Sequence, residues 1–72
     1  MQYAIVIERS ANGFGAYVPD LPGCVALAET EAEVRQLIRE AIELHLAALR
    51  EDNEPIPEAT AQVDYVEIPY AA

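Results

Sequence analysis

The feature that most constrains this chain is a short bend at residues 19–23. Pro19 and Pro22 fix their own φ angles and push the residues before them into extended conformations. Gly23 can adopt the positive φ that other residues avoid. Apolar runs lie on both sides of this Pro-Asp-Leu-Pro-Gly string, so the pattern predicts a rigid, ordered connection between two strands.

Three strands are predicted in the N-terminal part of the chain. Residues 3–9 are apolar on both faces, which favours a central strand. Asn12-Gly13 is a hairpin signal, since both residues tolerate positive φ in a type I′ turn, and residues 14–18 are expected to return as the second strand. Residues 24–28 are wholly apolar and predict a short third strand that is buried on both sides.

A helix is predicted to begin after Thr30 and to run to about Glu51. Thr30 and Glu33 have capping-box spacing, in which Thr30 accepts the Glu33 amide and Glu33 reaches back to Thr30. Asn53 can end the helix in a left-handed conformation. The apolar residues expected on one face are Val34, Leu37, Ile38, Ala41, Leu44, His45 and Ala48, widened by Ile42, Leu46 and Leu49.

Residues 63–68 alternate in polarity and predict a fourth strand, which Pro69 limits to a sheet edge. The expected fold is therefore an α+β domain of order β-β-β-α-β over residues 1–72, with an antiparallel-type sheet and one long helix on one face. One helix cannot cover both faces of a sheet. The other face, with Ala4, Val6 and Tyr17, should be an apolar interface, and we expect a dimer or tetramer.

Charge and composition restrict the function. Thirteen acidic residues against four arginines give a net charge of −9, whereas nucleic-acid binders carry basic patches. A basic protein partner is the electrostatic complement, although acidity can also serve solubility alone. No apolar run approaches the ~20 residues that span a membrane. A cytoplasmic protein is expected, and the single Cys24 fits a reducing compartment.

Few residues suggest chemistry. His45 and Cys24 have no sequence neighbours that would make them a catalytic pair or a metal site, so we predict no catalytic residue, metal or cofactor. Glu8 and Asp20 are the acids nearest the sheet ends, too few for a two-metal nuclease. Asp20 is better placed to accept amides in the bend. Ion pairs are expected on the wet side of the helix, for Glu31 with Arg35 and for Arg39 with Glu43.

The sequence resembles the HicB-like antitoxin family over residues 1 to about 58. The similar segments are the strand at 3–8, Gly-Phe-Gly-Ala-Tyr-Val-Pro-Asp-Leu-Pro-Gly-Cys at 13–24, Ala-Glu-Thr-Glu-Ala-Glu at 28–33, Glu-Ala-Ile-Glu-Leu-His-Leu at 40–46, and Asp-Asn-Glu-Pro-Ile-Pro at 52–57. The resemblance implies a fold similar to a degraded ribonuclease H domain that lacks its catalytic acids. It also implies a non-enzymatic antitoxin that binds and neutralises a HicA-like toxin, a small ribonuclease that cleaves mRNA.

Many members of that family carry a C-terminal DNA-binding domain, and no such pattern follows residue 57 here, so DNA binding is not expected. Position alone suggests partner contacts at Glu8, Tyr17, Asp20 and Leu21. Two other hypotheses remain: an orphan homo-oligomeric protein-interaction domain with no toxin partner, and a residual nuclease that would depend on Glu8 or Asp20.

Overall fold

The computed structural model describes residues 1–70, so the last two residues of the predicted domain lie outside it. Three strands precede one helix: β1 at Val6–Ser10, β2 at Gly13–Tyr17, β3 at Val25–Ala28 and α1 at Glu31–Glu51. The chain is therefore α+β, with an open antiparallel sheet and a single long helix, as the sequence predicted. No helix among the described residues is long and apolar enough to cross a membrane.

The strand order is β1-β2-β3, so β2 is central and β1 is an edge strand. The predicted central position of β1 is wrong. Both faces of β1 carry apolar residues because one face contacts the core and the other belongs to the uncovered side of the sheet. Ile7 packs against the core, whereas Val6 faces the uncovered side. The predicted double burial of β3 is wrong in the same way, because Val25 and Leu27 are exposed.

The predicted hairpin between β1 and β2 is confirmed, but its turn differs from the expected type I′ turn. Ser10 pairs with Gly13, so Ala11 and Asn12 form the loop. Asn12 does not have a positive φ, whereas Gly13 has a φ of 144°. A side chain at Gly13 would also place its Cβ 2.4 Å from the carbonyl oxygen of Ala28, so the close approach of β3 requires glycine here.

The bend at residues 19–23 is two consecutive turns, which confirms the predicted ordered connection between two strands. The Leu21 amide donates to the Val18 carbonyl at 3.0 Å, and the Cys24 amide donates to the Leu21 carbonyl at 3.1 Å. Pro22 and Gly23, with a φ of 84° at Gly23, occupy the central positions of the second turn, as in a type II turn. The Val18 amide closes the bend onto the Cys24 carbonyl at 3.2 Å.

Both predicted ends of α1 are confirmed. The Thr30 hydroxyl oxygen accepts the Glu33 amide at 3.1 Å, and the Thr30 hydroxyl donates to the Glu33 carboxylate at 2.9 Å. Glu33 thus reaches back to the side chain of Thr30 rather than to its amide. Asn53 ends the helix with a φ of 55°. Of the two predicted ion pairs, the described residues contain Glu31–Arg35, at 3.2 Å, and not the one between Arg39 and Glu43.

The core lies between α1 and one face of the sheet. It consists of Ala16, Val18, Leu21, Cys24, Val34 and Ile38. Leu37 and Leu44, predicted on the buried face of the helix, are instead 42% and 73% exposed. The reason is length: a 21-residue helix spans about 32 Å, whereas strands of four or five residues span only about 17 Å, so the helix extends beyond the sheet.

No strand forms at residues 63–68, so the predicted fourth strand is absent from the described structure. The chain after α1 lacks regular secondary structure but is tied to the body at two places. The Tyr3 hydroxyl donates to the Pro57 carbonyl. The Asp20 carboxylate accepts the Thr60 amide and hydroxyl, each at 3.1 Å, and the Ala61 amide at 3.0 Å. We call this last set of contacts the Asp20 anchor.

Candidate protein-interaction surface

The side of the sheet away from α1 carries two rows of paired residues. One row is Val6, Tyr17 and Val25, and the other is Glu8, Gly15 and Leu27. Residues directly paired in an antiparallel sheet project from the same face. The alternate residues of the strands, such as Ile7, Ala16 and Ala26, belong to the core or pack against it. The two rows therefore form one surface, which we call the open face.

The open face is mainly apolar and accessible. Tyr17 is 41% exposed, Val25 is 62% exposed and Leu27 is 81% exposed. Contiguous apolar surface of this kind marks interaction sites on small proteins. The expectation that one helix would leave an apolar sheet face uncovered is thus confirmed for Val6 and Tyr17. Ala4, the third residue expected there, precedes β1 and has no strand partner in the sheet.

Gly15 shapes the middle of the open face. The strand register is continuous through Gly15, which pairs with Glu8 on one side and Leu27 on the other. A Cβ at this position would lie 3.3 Å from the Leu27 Cδ2 atom. The Leu27 side chain thus lies over the glycine. Because Gly15 has no side chain, the open face is a shallow depression at this position, between Glu8 and Leu27.

Charge on the open face is concentrated at one edge. Of its six residues only Glu8 is charged, and it lies on the edge strand β1, where it is exposed. The neighbouring Arg9 pairs with Phe14, which packs against the core, and so belongs to the opposite face. The surface therefore combines an apolar centre with one carboxylate at its margin.

The structure brings together only part of the predicted contact set. Glu8 and Tyr17 both lie on the open face. Asp20 uses its carboxylate in the Asp20 anchor, so its structural role is to hold the C-terminal segment rather than the amides of its own bend. Leu21 has 0% exposed surface and lies in the core. Exposed side chains for a partner therefore remain at Glu8 and Tyr17.

Val25 and Leu27 are the surface residues that the sequence reasoning missed. An apolar run of four or five residues fits either a doubly buried strand or a strand with one open face. The available signal was the alternation of side chains along a strand, which places large residues of β3 on one face and alanines on the other. Val25 and Leu27 lie on the same face as Tyr17, whereas Ala26 and Ala28 lie on the same face as Ala16.

The residues considered for chemistry are placed unfavourably for it. Cys24 is buried, and desolvation by burial raises the pKa of its thiol, which keeps the thiol protonated and weakens it as a nucleophile. Among residues 1–70 no group of three or more His, Cys, Asp and Glu side chains is positioned to hold a metal ion.

Comparison with known proteins identifies the family. The model of the HicB-like antitoxin of bacterial toxin-antitoxin systems matches residues 3–70. This chain belongs to the HicB-like antitoxin family. The match includes the bend, the capped helix and the segment that follows it, so it extends beyond the residues whose resemblance was apparent from the sequence.

Relatives of this HicB-like chain include phage and archaeal proteins. It is 35% identical over 69 residues to a 14.9 kDa protein from the rep-hol intergenic region of Haemophilus phage HP1, covering 96% of this chain and 52% of the phage protein. The chain thus spans about half the length of that relative. It is also 35% identical over 63 residues to a UPF0150 protein of Thermoplasma acidophilum, covering 86% of this chain and 91% of the relative.

A solved structure is also similar. The HicB-like chain matches a chain of the HicA3 and HicB3 toxin-antitoxin complex with a TM-score of 0.71 and 32% sequence identity. The match covers 83% of this chain and 70% of that chain. Sequence and fold therefore point to the same family.

Proposed function

We propose that this HicB-like protein is a non-enzymatic, cytoplasmic antitoxin that binds a small HicA-like, mRNA-cleaving toxin and neutralises it by contact. The observation that carries the proposal is the family match over residues 3–70. The similarity to a chain of a toxin-antitoxin complex supports it. Residues 1–72 act as one binding domain.

We place the toxin contact on the open face. Tyr17 and Leu27 offer exposed apolar area, and an aromatic residue near the centre of an interface commonly contributes much of the binding energy. Glu8 supplies a carboxylate at the margin for a cationic group of the toxin.

Net charge supports the same partner. A protein that cleaves RNA needs positive surface to hold the phosphate backbone. This chain carries a net charge of −9, so long-range attraction would raise the association rate and would weaken with added salt.

The test is co-expression with the toxin encoded beside this gene, together with a binding measurement on the purified pair. The full chain should restore growth and bind the toxin. Leu27→Glu should weaken binding by at least about tenfold, because it would bury a charge in the apolar part of the contact. The matched control is Leu44→Glu, which changes another largely exposed leucine, 73% exposed against 81% for Leu27, on α1 and should leave binding intact.

The outcomes separate two claims. If the full chain neither binds the toxin nor restores growth, the antitoxin proposal fails. If the toxin binds both variants as tightly as the original chain, the antitoxin role stands but the contact lies away from the open face.

A homo-oligomeric interaction domain with no toxin partner is the second candidate, and the exposed open face favours it. In that case the protein would self-associate through Val25 and Leu27, and Leu27→Glu would reduce the sedimenting mass of the protein alone. If the sedimenting mass of that variant is unchanged, the open face takes no part in self-association.

A further inference from the structure

The C-terminal residues 62–70, which we call the tail, expose apolar side chains along their whole length. The exposed fractions are 63% for Val63, 89% for Tyr65, 81% for Val66, 68% for Ile68 and 79% for Tyr70. Within the described tail the backbone amides make two hydrogen bonds, both local: the Tyr70 amide donates to the Ile68 carbonyl and the Tyr65 amide donates to the Asp64 carboxylate. In a single chain, the tail alternates in polarity as a strand does but pairs with no other strand.

An unfilled groove lies beside the β1 edge of the sheet. α1 packs mainly over β2 and β3, so a space of about 970 Å³ remains between α1 and the residues that lead into β1. Its apolar lining includes Ile5, Ile38 and Ile42. A second space of about 510 Å³ involves Ile7 of β1. We refer to the two spaces together as the β1 groove.

The β1 groove carries more basic than acidic side chains, whereas the tail carries only acidic ones. Arg35, Arg39 and Glu43 line the larger space, and Arg9, Arg35 and Glu31 line the smaller one, where Glu31 pairs with Arg35. Three of the four arginines of this acidic chain therefore lie here. Neither Arg9 nor Arg39 forms an ion pair among residues 1–70. The tail contains two carboxylates, at Asp64 and Glu67, and no basic residue.

Within one chain the tail passes the β1 groove without entering it. Ala61, held by the Asp20 anchor, lines one end of the larger space, and Tyr65 lines the smaller space while remaining 89% exposed. The described chain measures 51 × 27 × 17 Å, far longer than a sheet covered by one helix requires. The segment reaches the groove of its own chain but gains neither burial nor backbone pairing there.

We propose that the tail of a second copy occupies the β1 groove and adds a strand to the outer edge of β1, while the second copy receives the tail of the first. Such an exchange is isologous and closes as a two-fold dimer. It gives β1 a strand partner and brings Asp64 and Glu67 next to the arginines of the groove. It involves the opposite side of the sheet from the open face and does not depend on toxin binding.

Charge exchange in the full chain tests the proposal by sedimentation. We expect the unmodified protein to be a dimer at micromolar concentration. Arg39→Glu should weaken the dimer by about tenfold or more, as should the double change Asp64→Arg and Glu67→Arg. Combining all three changes should restore the dimer. Arg50→Glu is the matched control, because it reverses the one arginine outside the groove and should leave the dimer intact.

Disulfide mapping distinguishes exchange between chains from folding back within one chain. A chain with Arg9→Cys is mixed with an isotope-labelled chain with Tyr65→Cys under oxidising conditions, and covalent heterodimers are expected. Leu27→Cys, on the open face, replaces Arg9→Cys as the control and should not crosslink. Cys24 is buried in every case.

Three results would overturn the proposal. One is a monomeric full chain at micromolar concentration. Another is a disulfide that forms only inside a chain carrying both Arg9→Cys and Tyr65→Cys. The third is a dimer that survives the charge reversals but dissociates with Leu27→Glu, which would assign self-association to the open face. None of these results bears on whether a toxin binds.

Discussion

Gly13 and Gly23 both have positive φ, but only Gly13 also lacks room for a side chain. At Gly23 no atom lies within 4 Å of an added Cβ, so Gly23→Ala should cost only the backbone strain, about 1 kcal/mol. At Gly13 the Cβ would meet the Ala28 carbonyl oxygen at 2.4 Å, and Gly13→Ala should therefore cost more than about 2 kcal/mol. Urea unfolding of the two variants measures the difference.

The comparison is controlled because the same atom group is added at both sites. Equal losses of unfolding free energy would mean that β3 moves away from Gly13 at little cost. A larger loss at Gly23 would contradict the described turn geometry at Pro22 and Gly23.

At the scale of single elements, α1 depends on one side chain at its start. The Thr30 hydroxyl oxygen accepts the Glu33 amide, one of the four amides that a helix leaves without an internal partner. Thr30→Ala should lower the free energy of unfolding by about 1 kcal/mol, whereas Thr30→Ser keeps the acceptor and should change it by a few tenths. Thermal and urea unfolding check both values, and equal losses in the two variants would show that the cap contributes little.

Elements set by neighbouring residues were predictable from the sequence. The helix ends follow from the capping box at Thr30 and from Asn53, and the bend follows from Pro22 and Gly23. These signals act within a few residues, so no knowledge of the rest of the fold is needed to read them. The hairpin was predictable for the same reason, although the position of Gly13 in it depended on the approach of Ala28 from the third strand.

Elements set by distant partners were not predictable in the same way. Apolar residues on both faces of β1 are compatible with a central strand and with an edge strand beside an open face. The alternation at residues 63–68 indicates the capacity to form a strand, but a strand exists only when another backbone pairs with it. Leu37 and Leu44 fit the helical repeat, yet the sheet beneath them is too short to bury them.

At the scale of the whole molecule, the existence of an apolar interaction face was predictable from the sequence, but only some of the residues on it were. A single helix cannot cover both sides of a sheet, which is enough to predict an open face. Which β3 residues lie on it depends on the register with β2, and that register placed Val25 and Leu27 beside Tyr17. Asp20 and Leu21 were expected at the surface from their position in a loop, but the bend turns Leu21 into the core.

The Asp20 anchor joins parts of the chain that are forty residues apart and determines where the tail leaves the body. Both carboxylate oxygens are used, with Oδ2 accepting two amides and Oδ1 accepting the Thr60 hydroxyl. Asp20→Ala removes all three contacts and should speed amide hydrogen exchange at Thr60 and Ala61, with a global loss of about 1 kcal/mol. Asp20→Asn keeps a single acceptor oxygen and should give an intermediate exchange rate.

Glu58→Ala is the matched control for this prediction, because Glu58 lies two residues before Thr60 and its carboxylate makes no hydrogen bond or ion pair with another described residue. Exchange at Thr60 and Ala61 should be unchanged in that variant. Unchanged exchange in Asp20→Ala would contradict the anchor, and the aspartate of the Pro-Asp-Leu-Pro-Gly bend would then serve the bend alone. Fast exchange confined to residues 60 and 61, with the amides of α1 still protected, would show that the bend positions the tail without holding the core together.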